Sequence, residues 1–327
     1  MKDVGIVGLP YSGKSTLFSA LTRSGSAGGR SNQAVVEVPD PRLGVLSGQE
    51  SSKKVVAAKV RFVDVPGGLT AQGIAEFRQV DALCLVVRAF GEDSSPAKEL
   101  IEIDAELLLA DLASIDSGVE KARKKARGPD ASAKAELAVL EQAHALLESE
   151  KPLRDGAFDP EAIKLLRGYG PLTLKPWVVV ANVEEGGELP DDMPDGSIGI
   201  SAALEAEVAG MDASDAAELL GGFGVEEPGL DRVVAACYRA LDLITFLTTG
   251  EDETRAWEVR RGAKAPEAAG AIHSDLERGF IRAEVIHYDE LVSAGSWDSA
   301  KAKGMLRVEG KDYEVVEGDV LNIRFAV

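Results

Sequence analysis

Residues 8–16 read GLPYSGKST, which fits G-x-x-x-x-G-K-[ST] between a short apolar run, residues 4–8, and a segment, residues 15–23, carrying Leu17, Ala20 and Leu21 at helical spacing. A strand, a glycine-rich loop and a helix start in that order constrain the fold more than any other feature of the chain. The glycines let the backbone wrap a phosphate chain, and the N–H groups and dipole of a helix N-terminus stabilise negative charge. Read this way, Pro10, Tyr11, Ser12, Gly13, Lys14, Ser15 and Thr16 bind nucleotide. Lys14 is the catalytic cation that reaches the β- and γ-phosphates, and Ser15 offers its hydroxyl to Mg²⁺. The competing reading is a glycine-rich turn that matches by chance; the flanking strand and helix argue against it.

Three further apolar runs, residues 60–65, 82–87 and 176–181, have the length and β-branched content of buried strands. Strands separated by helical stretches predict an α/β fold with a mainly parallel sheet and helices on both faces. Asp64 closes the first of these runs and begins Asp64-Val65-Pro66-Gly67, a DxxG candidate. A lone Asp at a strand end also reads as a cap or turn residue; beside a P-loop, an acid there commonly holds Mg²⁺ through water, and the glycine senses the γ-phosphate. The last run leads into ANVEE, which gives Asn182 and, three positions on, Glu185. GTPases have NKxD here, with the carboxylate receiving the donors of guanine. Glu185 is one methylene longer, and Val183 stands where the lysine would pack on the base, so guanine selectivity should weaken. Ser201-Ala202 is similar to the SAK-type loop whose backbone touches the base.

Between the third and fourth runs the pattern predicts two antiparallel helices over residues 101–112 and 131–147. The hinge between them holds Lys121, Arg123, Lys124, Lys125 and Arg127, the densest basic cluster in the chain. It reads either as a solvated hairpin tip or as a contact for an RNA phosphate backbone. After residue 250, short strands at 256–259 and 282–287 surround one helix at 266–276, which predicts a small α+β domain. The whole chain holds 36 basic against 55 acidic residues, a net charge of -19 that repels nucleic acid at long range. Any RNA contact must therefore be local. Two widely separated cysteines, Cys84 and Cys237, exclude a disulfide framework or a cysteine-rich zinc site, and a reducing, cytoplasmic location is expected. No apolar run is long enough for a membrane span, so no membrane partner is expected.

With these residues in view, the chain resembles the YchF or Obg-like ATPases, a TRAFAC-class branch of P-loop NTPases. The stretches that carry the resemblance are GIVGLPYSGKSTLF, VPDPRL, FVDVPGGL, VDALCLVVRAF, IEIDAELLLADL, KPWVVVANVEE, SAALEAEVAG, RAWEVRRGAKAPEAAGAIHSDLERGFIRAEVI and EGKDYEVVEGDVLNIRF, which together span nearly the whole chain. The resemblance implies a nucleotide-binding domain over residues 1–98 and 172–242, interrupted by a helical hairpin over 99–171. A ubiquitin-like (β-grasp) TGS domain follows over 243–327. It also implies a ribosome partner, and ATP accepted as well as or better than GTP.

The departures from the family pattern are equally specific. No threonine occurs between Thr22 and Thr70, so the first-switch ligand that completes the Mg²⁺ shell in the family is missing. The second switch is abbreviated, with Gly68 where the family has a bulky apolar residue, and the family's histidine after VVRxF is absent. His144, His273 and His287 all lie outside the P-loop region, and Gln72 reads more readily as a solvated loop residue than as a water-orienting one. Three functions compete on these residues: a slow ribosome-associated ATPase, a nucleotide-binding scaffold without turnover, and an Obg-type GTPase disfavoured by Val183 and Glu185.

Overall fold

The computed structural model describes residues 1–24, 26–27, 32–65 and 67–326. In chain order the strands are β1 (Lys2–Val7), β2 (Ser26–Ala27), β3 (Gln33–Glu37), β4 (Val55–Val56), β5 (Lys59–Asp64), β6 (Ala82–Ala89), β7 (Trp177–Val183), β8 (Ile198–Ile200), β9 (Leu243–Thr248), β10 (Thr254–Arg260), β11 (Phe280–His287), β12 (Arg307–Glu309) and β13 (Asp319–Phe325). The α-helices are α1 (Lys14–Ser24), α2 (Pro41–Glu50), α3 (Ala71–Phe77), α4 (Pro96–Lys125), α5 (Ala131–Glu148), α6 (Pro160–Arg167), α7 (Ala202–Val208), α8 (Ala213–Gly222), α9 (Gly229–Ala240), α10 (Ala265–Ile272), α11 (Ser274–Arg278), α12 (Tyr288–Ala294) and α13 (Trp297–Ala302). The chain divides into two compact units, Met1–Val36 with Arg61–Val233, and Glu37–Val60 with Val234–Val327.

The sheet of the first unit has the order β2-β3-β5-β1-β6-β7-β8. β1, β6, β7 and β8 run parallel, and β2 is antiparallel to β3. The central strands are buried along most of their length, as their near-continuous apolar runs require. Leu17, Ala20 and Leu21 of α1 are buried, matching the spacing read from the sequence.

The first hairpin helix is much longer than the 101–112 expectation. α4 runs on to Lys125 because Ile115, Val119 and Ala122 keep the three-and-four rhythm through ASIDSGVEKARKK and bury against α5. Gly118 is needed at this contact, since a Cβ there would stand 2.8 Å from the Tyr169 ring. The helix serves two cores. Leu100, Ile103 and Leu107 join the cluster over the sheet, whereas Leu108 to Ala122 join Leu140, Ala143 and Leu147 of α5.

Where α4 passes from one core to the other it buries Asp111 completely. The Asp111 carboxylate accepts from Leu172 N (2.8 Å), Thr173 N (2.7 Å) and the Thr173 hydroxyl (2.8 Å), and pairs with Arg78 at 3.3 Å. Burial lifts its carboxyl above the usual range while those donors pull the other way. Arg78 caps α3 and donates to Gly170 O (2.7 Å) and Ala110 O (2.9 Å).

The sheet of the second unit has the order β12-β11-β13-β9-β10-β4. Its centre is the parallel pair β13 and β9, flanked by antiparallel β11 and β10. α10 supplies Ala265, Ala268 and Ala269 to a core with Phe246, Val285 and Leu321. The helix expected at 266–276 is broken into α10 and α11 at His273, whose backbone is extended and whose ring accepts from Asp275 N.

Residues 37–60, grouped with the nucleotide-binding part on the sequence, belong to this second unit. VPDPRL explains itself here: Asp40 caps α2, Pro41 opens it, and Arg42 forks onto Asp40 while reaching Glu317 at 2.6 Å. Glu317 in turn accepts from Thr245 N, and β4 pairs parallel with β10.

Candidate nucleotide-binding site

The loop from Gly8 to Gly13 leaves β1 and delivers the chain into α1. Two of its residues take left-handed backbone, Tyr11 at φ +68° and Gly13 at φ +89°. Tyr11 carries that conformation with its side chain 88% exposed. At Gly13 the conformation and the space both demand glycine, because a Cβ would stand 2.0 Å from Asn182 Nδ2. The first helical bond is Leu17 N to Gly13 O, so the N–H groups ahead of it open toward the loop, as at any helix start. Lys14 Nζ folds back to Leu9 O at 3.3 Å. Ser12 is wholly buried, and its hydroxyl has no hydrogen-bond partner among the described residues.

Asn182, at 5% exposure, ties the loop before α7 to the glycine-rich loop. Its Nδ2 donates to Ser12 O (3.0 Å), and its Oδ1 accepts from Ala202 N (2.9 Å). The Ser201 hydroxyl caps α7 by accepting from Leu204 N. Asn182 and the Ser201-Ala202 pair, 20 positions apart in sequence, thus meet through Ala202 N.

Asp64 ends β5 half-buried. Burial lifts its carboxyl above the usual range, and the nearby Lys14 ammonium opposes that. Asn32 holds this strand end by accepting from Asp64 N (3.1 Å) and donating to Asp64 O (3.2 Å). Beyond it, Gly67 and Gly68 are left-handed, and Thr70 caps α3 by accepting from Gly73 N. Pro66, inside the DxxG stretch, lies outside the described residues.

A cavity of about 490 Å³ opens beside the loop, lined by Gly13 and Thr16 from the loop and the start of α1 and by Asn182, Val183, Glu184 and Glu185 from the end of β7. Ser201, Ala203, Phe90 and Phe223 complete the wall. Glu185 and Ser201 therefore face one cavity, while Pro10, Tyr11, Lys14, Ser15, Asp64, Gly67 and Ala202 are not part of its lining. Phe90, Ala203 and Phe223 were not singled out on the sequence. Phe90 could have been found, since it follows the C-terminal end of a parallel strand, where α/β sheets bind ligands; Phe223 carried no such signal.

Of the two residues that the sequence marks as Mg²⁺ ligands, Ser15 lies in the first turn of α1 and Asp64 at the end of β5. Among the described residues no group of three or more His, Cys, Asp or Glu side chains forms a metal cluster. In the basic cluster, Lys121, Arg123, Lys124 and Lys125 lie in the last turns of α4, and Arg127 follows them. Arg123 pairs with Glu141 at 2.9 Å and Lys125 with Glu136 at 3.9 Å; Lys121, Lys124 and Arg127 have no acidic partner among the described residues. No helix among the described residues is long and apolar enough to cross a membrane.

Parallel strands ending at a glycine-rich loop, with a lysine and serine opening the next helix, define a P-loop NTPase domain of the GTPase-like class. Residues 3–115 match the family model MMR_HSR1, described as a 50S ribosome-binding GTPase, and residues 243–326 match YchF-GTPase_C, described as a protein of unknown function. Over 358 aligned positions the chain is 39% identical to the "Ribosome-binding ATPase YchF" of Haemophilus ducreyi, covering 99% of each. Over 364 positions it is 38% identical to the protein of that name from Bacillus subtilis, again covering 99% of each. The solved structure of the Schizosaccharomyces pombe YchF GTPase superposes with a TM-score of 0.90 at 30% identity, covering 99% of this chain and 97% of that one. The chain belongs to the YchF family. An alignment of 358 positions against a chain of 327 residues leaves at least 31 positions where this protein has no counterpart to its Haemophilus relative.

Proposed function

We propose that this protein is a ribosome-associated P-loop ATPase that binds ATP, and GTP less well, with Mg²⁺ and hydrolyses it slowly to change conformation. The observation that carries the reading is the Asn182 bridge: one side chain links the phosphate loop to the base-side loops around a cavity whose wall holds Val183 and Glu185 in place of the lysine and aspartate of a GTPase. In this reading the backbone from Pro10 to Thr16 cradles the phosphates, with Lys14 as the cation. Ser15 and Asp64 hold the metal, which neutralises charge on the phosphates when bound. Gly67 lies toward the γ-phosphate, Asn182 and Glu185 face the base, and Ser201 and Ala202 shape the loop beside it.

Phosphoryl transfer to water depends on positioning and electrostatics. A chain that lacks the first-switch threonine and the histidine should keep binding while losing rate. The same losses, with at least 31 missing positions, support a second reading in which the protein is a nucleotide-binding scaffold without turnover. We place the functional parts at residues 1–98 and 172–242 for nucleotide, with 37–60 of that span packing in the second compact unit, 99–171 for the hairpin, and 243–327 for a β-grasp TGS domain. The parallel central pair of β13 and β9 with α10 across the sheet supports the β-grasp.

Two measurements check this reading. Competition of ATP against GTP for the purified protein should favour ATP, and a clear GTP preference would overturn the roles given to Val183 and Glu185. Replacing Lys121, Lys124 and Arg127 together by glutamate should weaken co-sedimentation with ribosomes several-fold, and more steeply at low salt, if the hairpin end meets RNA phosphates. Unchanged co-sedimentation would make the cluster a solvated helix end suited to the helix dipole.

A further inference from the structure

Phe223 is an apolar side chain left 37% exposed at the wall of the cavity beside the P-loop. It is the C-cap residue of α8, outside every phosphate-binding and base-reading motif. Its backbone is held in place. Phe223 N donates to Leu220 O (3.0 Å), Val225 N returns to the same carbonyl, and Leu220 is buried in a small cluster with Leu204 and Val208. Gly186, just after Glu185, lets this turn approach: its φ is +72°, and a Cβ there would stand 3.3 Å from Phe223 O and 3.8 Å from its ring.

The polar groups of the cavity are largely committed elsewhere. Asn182 Oδ1 receives Ala202 N, and its Nδ2 is shared with Ser12 O. Glu184 Oε1 accepts from Gly91 N at 3.1 Å, which also fixes the loop bearing Phe90. A planar group entering this space has the Phe90 and Phe223 rings and Val183 to pack on, with Glu185 on the same wall.

We infer that Phe223 is a base-stacking residue that sets the affinity of the site for a purine. This rests on the nucleotide-binding reading above and adds to it the source of base affinity. Every purine presents a similar face to an aromatic ring, so stacking raises affinity for ATP and GTP alike. The choice between the two purines stays with Glu185 and the backbone around it. Pyrimidine nucleotides, with a smaller ring, gain less.

The test uses the full chain and three probes: ATP, GTP and inorganic tripolyphosphate, each titrated against wild type, Phe223→Ala and Phe223→Trp. Phe223→Ala should bind ATP and GTP each about tenfold more weakly, with their ratio unchanged and tripolyphosphate unaffected. Phe223→Trp should bind at least as well as wild type. Equal ATP affinity in wild type and Phe223→Ala overturns the inference, and so does an equal loss for tripolyphosphate, which would mark a general disturbance of the loop. A wild-type protein that binds tripolyphosphate and ATP equally well overturns base stacking while leaving the phosphate site intact; one that binds neither overturns the nucleotide-binding reading itself.

Discussion

Lys14→Ala is expected to weaken ATP binding on the order of 100-fold or more while leaving the fold intact. The binding loss follows from the proposed role of Lys14, since removing an ammonium that contacts phosphate forfeits a charge-assisted hydrogen bond. Structural integrity follows from what Lys14 touches in the protein: among the described residues its Nζ donates to the Leu9 carbonyl, at 3.3 Å, and alanine is a better helix former at the start of α1. Asp64 would respond as well. Its carboxyl is lifted by burial and restrained by Lys14, so the variant should lift it further. Equilibrium titration with ATP beside a thermal melt separates the two effects. Undiminished ATP affinity would remove the P-loop assignment, and a collapsed melting temperature would mean that Lys14 has a structural role absent from these contacts.

The largest effect on stability should come from Asp111→Ala, at a cost of about 3–5 kcal/mol. Asp111 is 0% exposed, and its removal strands two backbone N–H groups, a hydroxyl and the Arg78 guanidinium in a space closed to water. The loss concentrates at the foot of the hairpin, where α4 leaves the sheet core for its own core. Lys175 lies in the same knot, donating to Arg78 O at 3.1 Å, and burial lowers its ammonium below the ordinary lysine value. Thr173→Val, which removes one of the four donors to Asp111 and also the hydroxyl that accepts from Leu153 N at 3.1 Å, should cost about 1–3 kcal/mol. Urea unfolding of the three proteins measures both. An Asp111→Ala midpoint equal to wild type would show that Arg78 and the backbone donors find other partners.

The parts of the fold that were legible in the sequence are those in which a local pattern and a chemical motif coincide. β1, the phosphate loop and α1 fall where GLPYSGKST and the spacing of Leu17, Ala20 and Leu21 predict them, and the buried strands β5, β6 and β7 are apolar runs of strand length. α4 was cut short because Ser114, Asp116, Ser117 and Gly118 dilute its rhythm with poor helix formers; packing on α5 and Tyr169 outweighs their propensity. α12 and α13 are too short for a hydrophobic rhythm to mark them, although their caps stand in the sequence, with His287 and Ser296 as N-caps and Gly295 at φ +91° between them. The membership of residues 37–60 in the second unit is set by Arg42 reaching Glu317 and by β4 pairing with β10, contacts almost 200 positions or more apart that no local pattern encodes.

The same division holds in the candidate site. Lys14, Ser15, Asp64, Asn182 and Glu185 stand in motifs whose spacing points to the roles proposed for them. That Asn182 spends both ends of its amide on Ser12 O and Ala202 N, and that Phe223 reaches the cavity from the end of α8, depend on how distant loops close on one another.

Whether the nucleotide is turned over divides the ATPase from the scaffold, and single-turnover hydrolysis with the protein in excess over γ-labelled ATP answers it, with Lys14→Ala as the blank. Mg²⁺-dependent release of phosphate above that blank, slow and first order in bound ATP, is the expected result. Intact ATP after prolonged incubation, at protein concentrations where binding is complete, would contradict it and make the bound partner the function of the site.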